Sequence, residues 1–321
     1  MQLCAQLARL PIAGLIVFEK SEFNLYRVAS QLSSAYPQLP LACLLGDIVD
    51  APAVRHALAK HRPDIVFHAA AYKHVPLLEG QVREAMRNNL LGTRCLAEET
   101  VAAGIGEFVL ISTDKAVRPT NVMGATKRAA ELICQSLDGR GRTRFVTVRF
   151  GNVLDSAGSV VPLFRQQIQA GGPVTVTHPD VTRYFMTIPE ASQLILEASA
   201  LGQGGEIFVL DMGEPVRIGY LAEQMIRLSG KQPGEDIRIE YIGLRPGEKL
   251  YEELFHEQEQ LQPTPHDKLL LARAAKSEWT ELETAFARVE TGCLEFDDAS
   301  LLKELRGLVP DYASENVGIP A

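Results

Sequence analysis

Through the first 150 residues, short runs of uniformly apolar residues alternate with stretches whose apolar positions recur at helical spacing. Residues 13–18 (AGLIVF), 41–45, 64–67, 107–112 and 145–149 read as strands. Residues 22–33, 50–60, 83–104 and 122–137 read as helices, and residues 2–10 as a helix stopped by Pro11. Strands without polar alternation are covered on both faces, so the pattern predicts a parallel sheet sandwiched between helices. Beyond residue 150 the elements shorten. Helices are expected at 161–170, 189–201 and 218–229, and strands at 173–176 and 207–211. Residues 231–270, richer in charge and proline, read as a small lobe; 280–306 read as terminal helices and the remainder as a loose tail.

The expected fold is therefore α/β, a Rossmann-like doubly wound parallel sheet with a small C-terminal lobe. The expected divisions are a core at 1–165, a lobe at 166–275 interleaved with the last core elements, and terminal helices and tail at 276–321.

Composition narrows the function classes. The 321 residues carry 32 Lys+Arg against 40 Asp+Glu, a net charge of −8, with 46% apolar residues. The acid excess disfavours nucleic acid as a partner, and the apolar content excludes disorder. No apolar run reaches the roughly 20 residues of a membrane span, and the N-terminus lacks a secretory signal pattern. The five cysteines form no CxxC pair, and the histidines, His68 and His74 included, form no metal-ligand set, so no metal is expected. A reduced, cytoplasmic setting is expected, at the inner face of the membrane or away from it.

In a doubly wound sheet, ligands bind beyond the carboxyl ends of the strands. Glu19 ends the first strand; an acidic residue there holds an adenosine ribose and favours NAD over NADP, although acidic strand ends are also common in solvent. Asp47 follows the second strand, within reach of an adenine. Ala69, Ala70 and Ala71 follow the third; small residues admit a ligand to the backbone or simply pack tightly. Lys73 comes next, placed to meet a sugar or phosphate. The densest chemistry is Ser112-Thr113-Asp114-Lys115 after the fourth strand, then Met123 and Lys127 one helical turn apart. Lys127 could anchor a nicotinamide ribose; an isolated lysine would more often be a solvated helix residue, and Asp114–Lys115 could be a surface ion pair.

Seven segments give a more specific reading: FEKSEFNLY (18–26), HAAAYKHVP (68–76), NNLLGT (88–93), ISTDKAVRPTNVMGATKRAAE (111–131), RFGNVLDSAGSVVPLF (149–164), GGPVTVTHPDVTRYFMTIPEA (171–191) and LRPGEKLYEEL (244–254). They resemble the extended short-chain dehydrogenase/reductases, and within them the nucleotide-sugar 4,6-dehydratases of the polysaccharide-biosynthesis (CapD-like) group, of the kind that acts on UDP-N-acetylglucosamine. The resemblance implies an NAD-dependent lyase that converts a UDP-sugar to a UDP-4-keto-6-deoxy sugar, working as a homo-oligomer. It implies Asp114 as general acid at the C6 oxygen, Lys115 as base at C5, and Thr113 orienting the C4 oxygen. Lysine is a base only if its pKa is lowered, which Lys127 next door is expected to promote. Met123 stands where the superfamily has its YxxxK tyrosine; a thioether moves no proton, so that work passes to Thr113, Asp114 and Lys115. By the same resemblance Asn152, Arg183, Arg245 and Glu248 meet the diphosphate and ribose, and Thr175 and Thr177 lie by the uracil.

The family's opening strand and glycine-rich phosphate loop have no counterpart before residue 13. The expectation is a sheet with its first strand missing, two exposed strand edges, and a true start upstream of Met1. The alternatives are an epimerase of the same fold, against which the STDK segment speaks, and a non-catalytic homologue.

Overall fold

The computed structural model describes residues 1–256, 259–272 and 279–313. Helix α1 (Gln2–Leu7) precedes β1 (Leu15–Glu19), α2 (Glu22–Ala35), β2 (Leu41–Leu45), α3 (Ala51–His61) and β3 (Ile65–His68). Short helices α4 (Val75–Glu79) and α5 (Val82–Ala85) lead through a π-helical turn at Met86–Leu91 into α6 (Gly92–Ala102). Then come β4 (Glu107–Ile111), a 3-10 turn at Asp114–Ala116, α7 (Val122–Leu137) and β5 (Arg144–Arg149). The chain continues through β6 (Asn152–Val153), α8 (Val160–Gln169), β7 (Val174–Val176), β8 (Thr182–Arg183), β9 (Phe185–Met186) and α9 (Ile188–Leu201). It closes with β10 (Glu206–Leu210), β11 (Val216–Arg217), α10 (Ile218–Leu228), β12 (Ile239–Tyr241), β13 (Leu261–Pro263), β14 (Leu269–Ala272), α11 (Trp279–Glu295) and α12 (Asp298–Leu308).

Helices start where the sequence supplies an oxygen to cap them. Ser21, Asp50, Asn121, Thr187 and Asp297 each accept a backbone N–H three residues on, opening α2, α3, α7, α9 and α12.

The main sheet runs β13-β14-β10-β5-β4-β3. β3, β4, β5 and β10 are parallel, as the apolar runs predict. Helices α6, α7, α11 and α12 supply residues to the apolar cluster on one face, and α9, with Leu3 of α1, to the cluster on the other. β1 and β2 form a separate parallel pair. Among the described residues no backbone ladder joins that pair to β3; side chains bridge instead, with Lys20 Nζ 2.5 Å from Tyr72 Oη and 2.9 Å from Asn88 Oδ1. None of the residues of β1 or β2 is fully buried, whereas Phe108, Val109 and Leu110 of β4 are 0% exposed. Among the described residues β1 is paired with β2 alone and β3 with β4 alone.

Four expectations need correction. The helix at 83–104 is interrupted by the π turn, which inserts one residue into the winding and turns Asn88 and Asn89 inward, where both are buried. Residues 261–263 and 269–272, expected in the lobe, are strands of the main sheet, β13 at its edge and β14 between β13 and β10. Both pairings, β14 with β10 and β13 with β14, are antiparallel. The strand at 145–149 is not apolar to its end: Arg149 is fully buried. The expected tail is packed as far as it is described, with Leu308, Val309 and Tyr312 buried and the Ala313 N–H donating to the Pro119 carbonyl. Residues 314–321, and the expected 275/276 division, lie outside the described residues.

A second layer sits beside the C-terminal ends of β4 and β5. There β7 pairs with β12, β8 with β11 and β6 with β9, around Phe164, Ile168, Val174, Ile218 and Ile226. Among the described residues no helix is long and apolar enough to cross a membrane.

Candidate active site

The chain leaves β4 at Ile111 and turns at once. Thr113 caps the 3-10 turn, its Oγ1 accepting the Lys115 N–H and donating to Asp114 Oδ1 at 2.9 Å. Asp114 is 0% exposed, so its pairing with Lys115 is not a surface one. Lys115 Nζ donates to Asp114 Oδ1 at 2.9 Å and to Asn152 Oδ1 at 3.2 Å. The second Asp114 oxygen has no hydrogen-bond partner among the described residues.

Two glycines allow this packing. A Cβ at Gly124, in the first turn of α7, would lie 2.1 Å from the Lys115 carbonyl oxygen; only glycine brings helix and turn backbone to backbone. A Cβ at Gly151 would lie 3.0 Å from Tyr184 Cβ and 3.3 Å from Asp114 Oδ2.

Helix α7 carries Met123 and Lys127, both buried. Lys127 is not a solvated helix residue: its ammonium donates to the Ile111 carbonyl at 2.6 Å, and burial lowers its pKa to about 8. One turn on, Glu131 accepts from Ser112 Oγ at 2.6 Å and takes a two-pronged bond from Arg149 at 2.7 Å; Arg149 also donates to Glu259 at 2.6 Å. Burial pushes the Glu131 carboxyl up, but the Arg149 and Arg128 charges outweigh it and hold the pKa near 2. The lower half of α7 is thus tied to β5 by buried charge beneath the lysine.

The RPGEKLYEEL segment lies over the same turn. Thr120 Oγ1 and Asn121 Nδ2 donate to the Gly247 carbonyl, Lys249 Nζ donates to the Val117 carbonyl at 2.9 Å, and Arg118 pairs with Glu253. Glu252, buried, stands 3.6 Å from Lys115 Nζ and 3.8 Å from Arg183 Nε. Lys115 therefore departs from expectation. Burial pulls its pKa down and Arg183 adds to that, but the carboxylates of Asp114 and Glu252 prevail and the pKa is raised. The opposing cation is Arg183, and Lys127 plays no part.

The residues expected near substrate fall into two groups. Arg183 is buried and bound within the protein, to the Thr182, Lys249 and Leu250 carbonyls and to Glu248 at 3.1 Å. Thr177 donates to Glu248 Oε1 at 3.0 Å, and Glu248 Oε2 accepts the Arg245 N–H, while the Arg245 residue is exposed. Asn152 belongs to the Lys115 hydrogen-bond set. Thr175 is held by Gln167 of α8 through its hydroxyl and its N–H.

On the other side of β4, Ala69 and Ala70 are exposed and Ala71 half-buried at the end of β3, and Lys73 beyond them is exposed. Glu19 accepts the Ser21 N–H, and Asp47 lies 4.0 Å from Lys20 Nζ. His68 is buried against Thr93 at 2.8 Å, and burial holds its pKa near 3, so it is a neutral packing residue. Among the described residues no three His, Cys, Asp or Glu side chains converge to hold a metal.

Sequence reading missed Glu252, Lys249, Glu131 and Arg149. The signal for the last pair was present: a charge ending an apolar strand and a carboxylate one turn after Lys127 must find each other if both are buried.

Comparison with known proteins shows what the chain is similar to. A family model described as "Polysaccharide biosynthesis protein" matches residues 1–274. The capsular polysaccharide biosynthesis protein CapD of Staphylococcus aureus is 52% identical over 260 residues, covering 80% of this chain and 43% of CapD, so the chain spans less than half of that relative. Among solved structures, Pen from Bacillus thuringiensis superposes with TM-score 0.77 at 35% identity, covering 86% of this chain and 83% of Pen. The dTDP-glucose 4,6-dehydratase DesIV of Streptomyces venezuelae, solved as a double mutant with NAD and DAU bound, matches with TM-score 0.69 at 22% identity, over 79% of this chain and 83% of DesIV. This last likeness is one of fold.

Proposed function

The chain belongs to the polysaccharide biosynthesis protein family, and on that premise we propose that it dehydrates a UDP-sugar, with UDP-N-acetylglucosamine the favoured substrate, to a UDP-4-keto-6-deoxy sugar. The observation that carries the reading is the Thr113–Asp114–Lys115 chain of hydrogen bonds centred on the buried Asp114 directly after β4, with Met123 where a proton-transferring tyrosine would otherwise stand.

NAD is the cofactor of this reading. Glu19 and Asp47, at the ends of β1 and β2, suit the adenosine end, and Lys127 suits the nicotinamide ribose. Ala69–Ala71 form a wall without long side chains between them. The β1-to-α2 turn, Lys20-Ser21, has no glycine to cradle a pyrophosphate. Bound there, NAD would supply reversible hydride storage between C4 and C6 of the sugar, leaving loss of one water as the net change.

The protein's part is proton traffic. Two protons leave the sugar, from the C4 hydroxyl and from C5; two are consumed, at the C6 oxygen and again at C5. Thr113, hydrogen-bonded to Asp114, orients the C4 oxygen and passes its proton to the Asp114 carboxylate. Asp114 then delivers it to the C6 hydroxyl, which departs as water. Lys115, as a free amine, takes the C5 proton, holds it as an ammonium, and returns it to C5. The two groups end as they began. Because Lys115 has a raised pKa, turnover increases with pH as the ammonium loses its proton.

The test is turnover in deuterium oxide. A lysine amine exchanges with solvent, so the product gains deuterium at C5. Lys115→Met abolishes both water loss and C5 exchange. Water loss with C5 retaining its original hydrogen would refute the assignment.

A further inference from the structure

Glu252 is held in a manner that packing does not require. Its side chain is 3% exposed, yet its Oε1 stands 3.6 Å from Lys115 Nζ and 3.8 Å from Arg183 Nε, too far for a hydrogen bond to either. Its Oε2 has no hydrogen-bond partner among the described residues. A buried carboxylate without hydrogen bonds is costly, and apolar side chains fill such a place more stably. Lys115 is already located by Asp114 at 2.9 Å and Asn152 at 3.2 Å. What Glu252 adds is charge.

The groups facing Lys115 come from three directions. Asp114 belongs to its own turn, neutral Asn152 to β6, and Glu252 to the segment following RPGE. Behind Glu252 lies Arg183 of β8, itself paired with Glu248.

We propose that Glu252 is a positioning residue that sets the proton affinity of Lys115 while Asp114 is neutralised. The inference rests on the reading of Lys115 as the C5 base. In that reading Asp114 carries the C4 proton at the moment Lys115 acts, so it no longer attracts the ammonium. Glu252 is then the carboxylate that remains beside Nζ. It favours transfer of the C5 proton to Lys115 while Asp114 still carries the C4 proton. Once Asp114 has delivered that proton to the C6 oxygen, both carboxylates hold the ammonium, and Arg183 limits how tightly its proton is held. With both carboxylates facing it the resting Lys115 ammonium is favoured, in accord with its raised pKa.

The test reads Lys115 directly and needs no turnover. The full chain is acetylated competitively across a pH series, and mass spectrometry of the Lys115 peptide gives the pH of half-maximal reactivity. An opposite charge at such a distance is worth about 1–3 pH units, so Glu252→Gln lowers the midpoint by that much. Glu252→Asp, with the charge one methylene further back, lowers it by less. If the Gln variant does not fold, the Asp variant decides. An unchanged midpoint in a folded variant overturns the proposal. Where the wild type turns over, the ascending limb of its pH profile moves down with the midpoint in Glu252→Gln; a limb that stays put also overturns it. A wild type that releases no water refutes the dehydratase reading, while the acetylation midpoint still decides what Glu252 does.

Discussion

Replacing Gly124 by Ala inverts the usual sign of a glycine-to-alanine change in a helix. Alanine in a helix interior is favoured over glycine by roughly 0.5–1 kcal/mol. At Gly124 the new Cβ would sit 2.1 Å from the Lys115 carbonyl oxygen, far inside the 3.4 Å at which ordinary contact begins. The obstacle is backbone and cannot rotate aside, so α7 or the 3-10 turn must retreat by more than an ångström. Overpacking of this kind costs about 1–3 kcal/mol, which exceeds the helical gain. The same shift moves Asp114 and Lys115 relative to Lys127, and a misplacement of about 1 Å costs on the order of 100-fold in rate. Gly307→Ala in α12, where nothing lies within 4 Å of the added Cβ, is the control and is neutral to stabilising. Urea unfolding followed by the fluorescence of Trp279, the single tryptophan, gives both midpoints. If Gly124→Ala proves as stable as the wild type, or gains as Gly307→Ala does, the close approach of α7 to the turn is wrong.

Other outcomes follow from the buried charges. Arg149→Met leaves Glu131 and Glu259 without their shared cation and costs about 3–5 kcal/mol at neutral pH, measured by denaturant midpoint. Glu131, at about 2 folded against 4.5 ordinarily, contributes about 3 kcal/mol, present above pH 4.5 and lost as pH falls toward 2. Acid titration of stability shows this slope in the wild type and a diminished one in Arg149→Met; equal slopes contradict the network. Lys127 has the opposite sense. Between about pH 8 and 10.5 the unfolded chain binds its proton and the folded chain does not, so stability rises with pH by about 3 kcal/mol. Lys127→Met removes that rise; if the rise persists, the buried amine is not its source.

Much of this arrangement was legible in the residues. The run at 41–45 and the helix at 122–137 stand where their patterns put them, because uniform apolarity and a 3.6-residue period are local properties. The Thr113–Asp114–Lys115 turn was legible because a polar cluster directly after a buried strand lies at the ligand-facing edge. What escaped was set by distant partners. Lys115 was expected to be a lysine of lowered pKa on the strength of Lys127. Beyond its own burial and the adjacent Asp114, its charge responds instead to Glu252 and Arg183, which reach it from residues 137 and 68 positions further along the chain. Arg149 depends in the same way on Glu259. The π turn was hidden because 83–104 keeps helical composition throughout, and the single turn of helix ahead of it, Val82–Ala85, is too short to set a phase against which the shift would show. The strands at 261–263 and 269–272 are too short, and too close to charged and proline-rich sequence, to stand out from a loop.

The account's central claim is that the site removes water from a UDP-sugar without net oxidation. The direct measurement incubates the 321-residue chain with UDP-N-acetylglucosamine and NAD⁺ and follows the nucleotide sugar by mass spectrometry. The account predicts a product lighter by one water, formed without net reduction of the dinucleotide and absent in Lys115→Met. A folded chain that binds the nucleotide sugar and returns it unchanged, or returns a C4 epimer of the same mass, would contradict it.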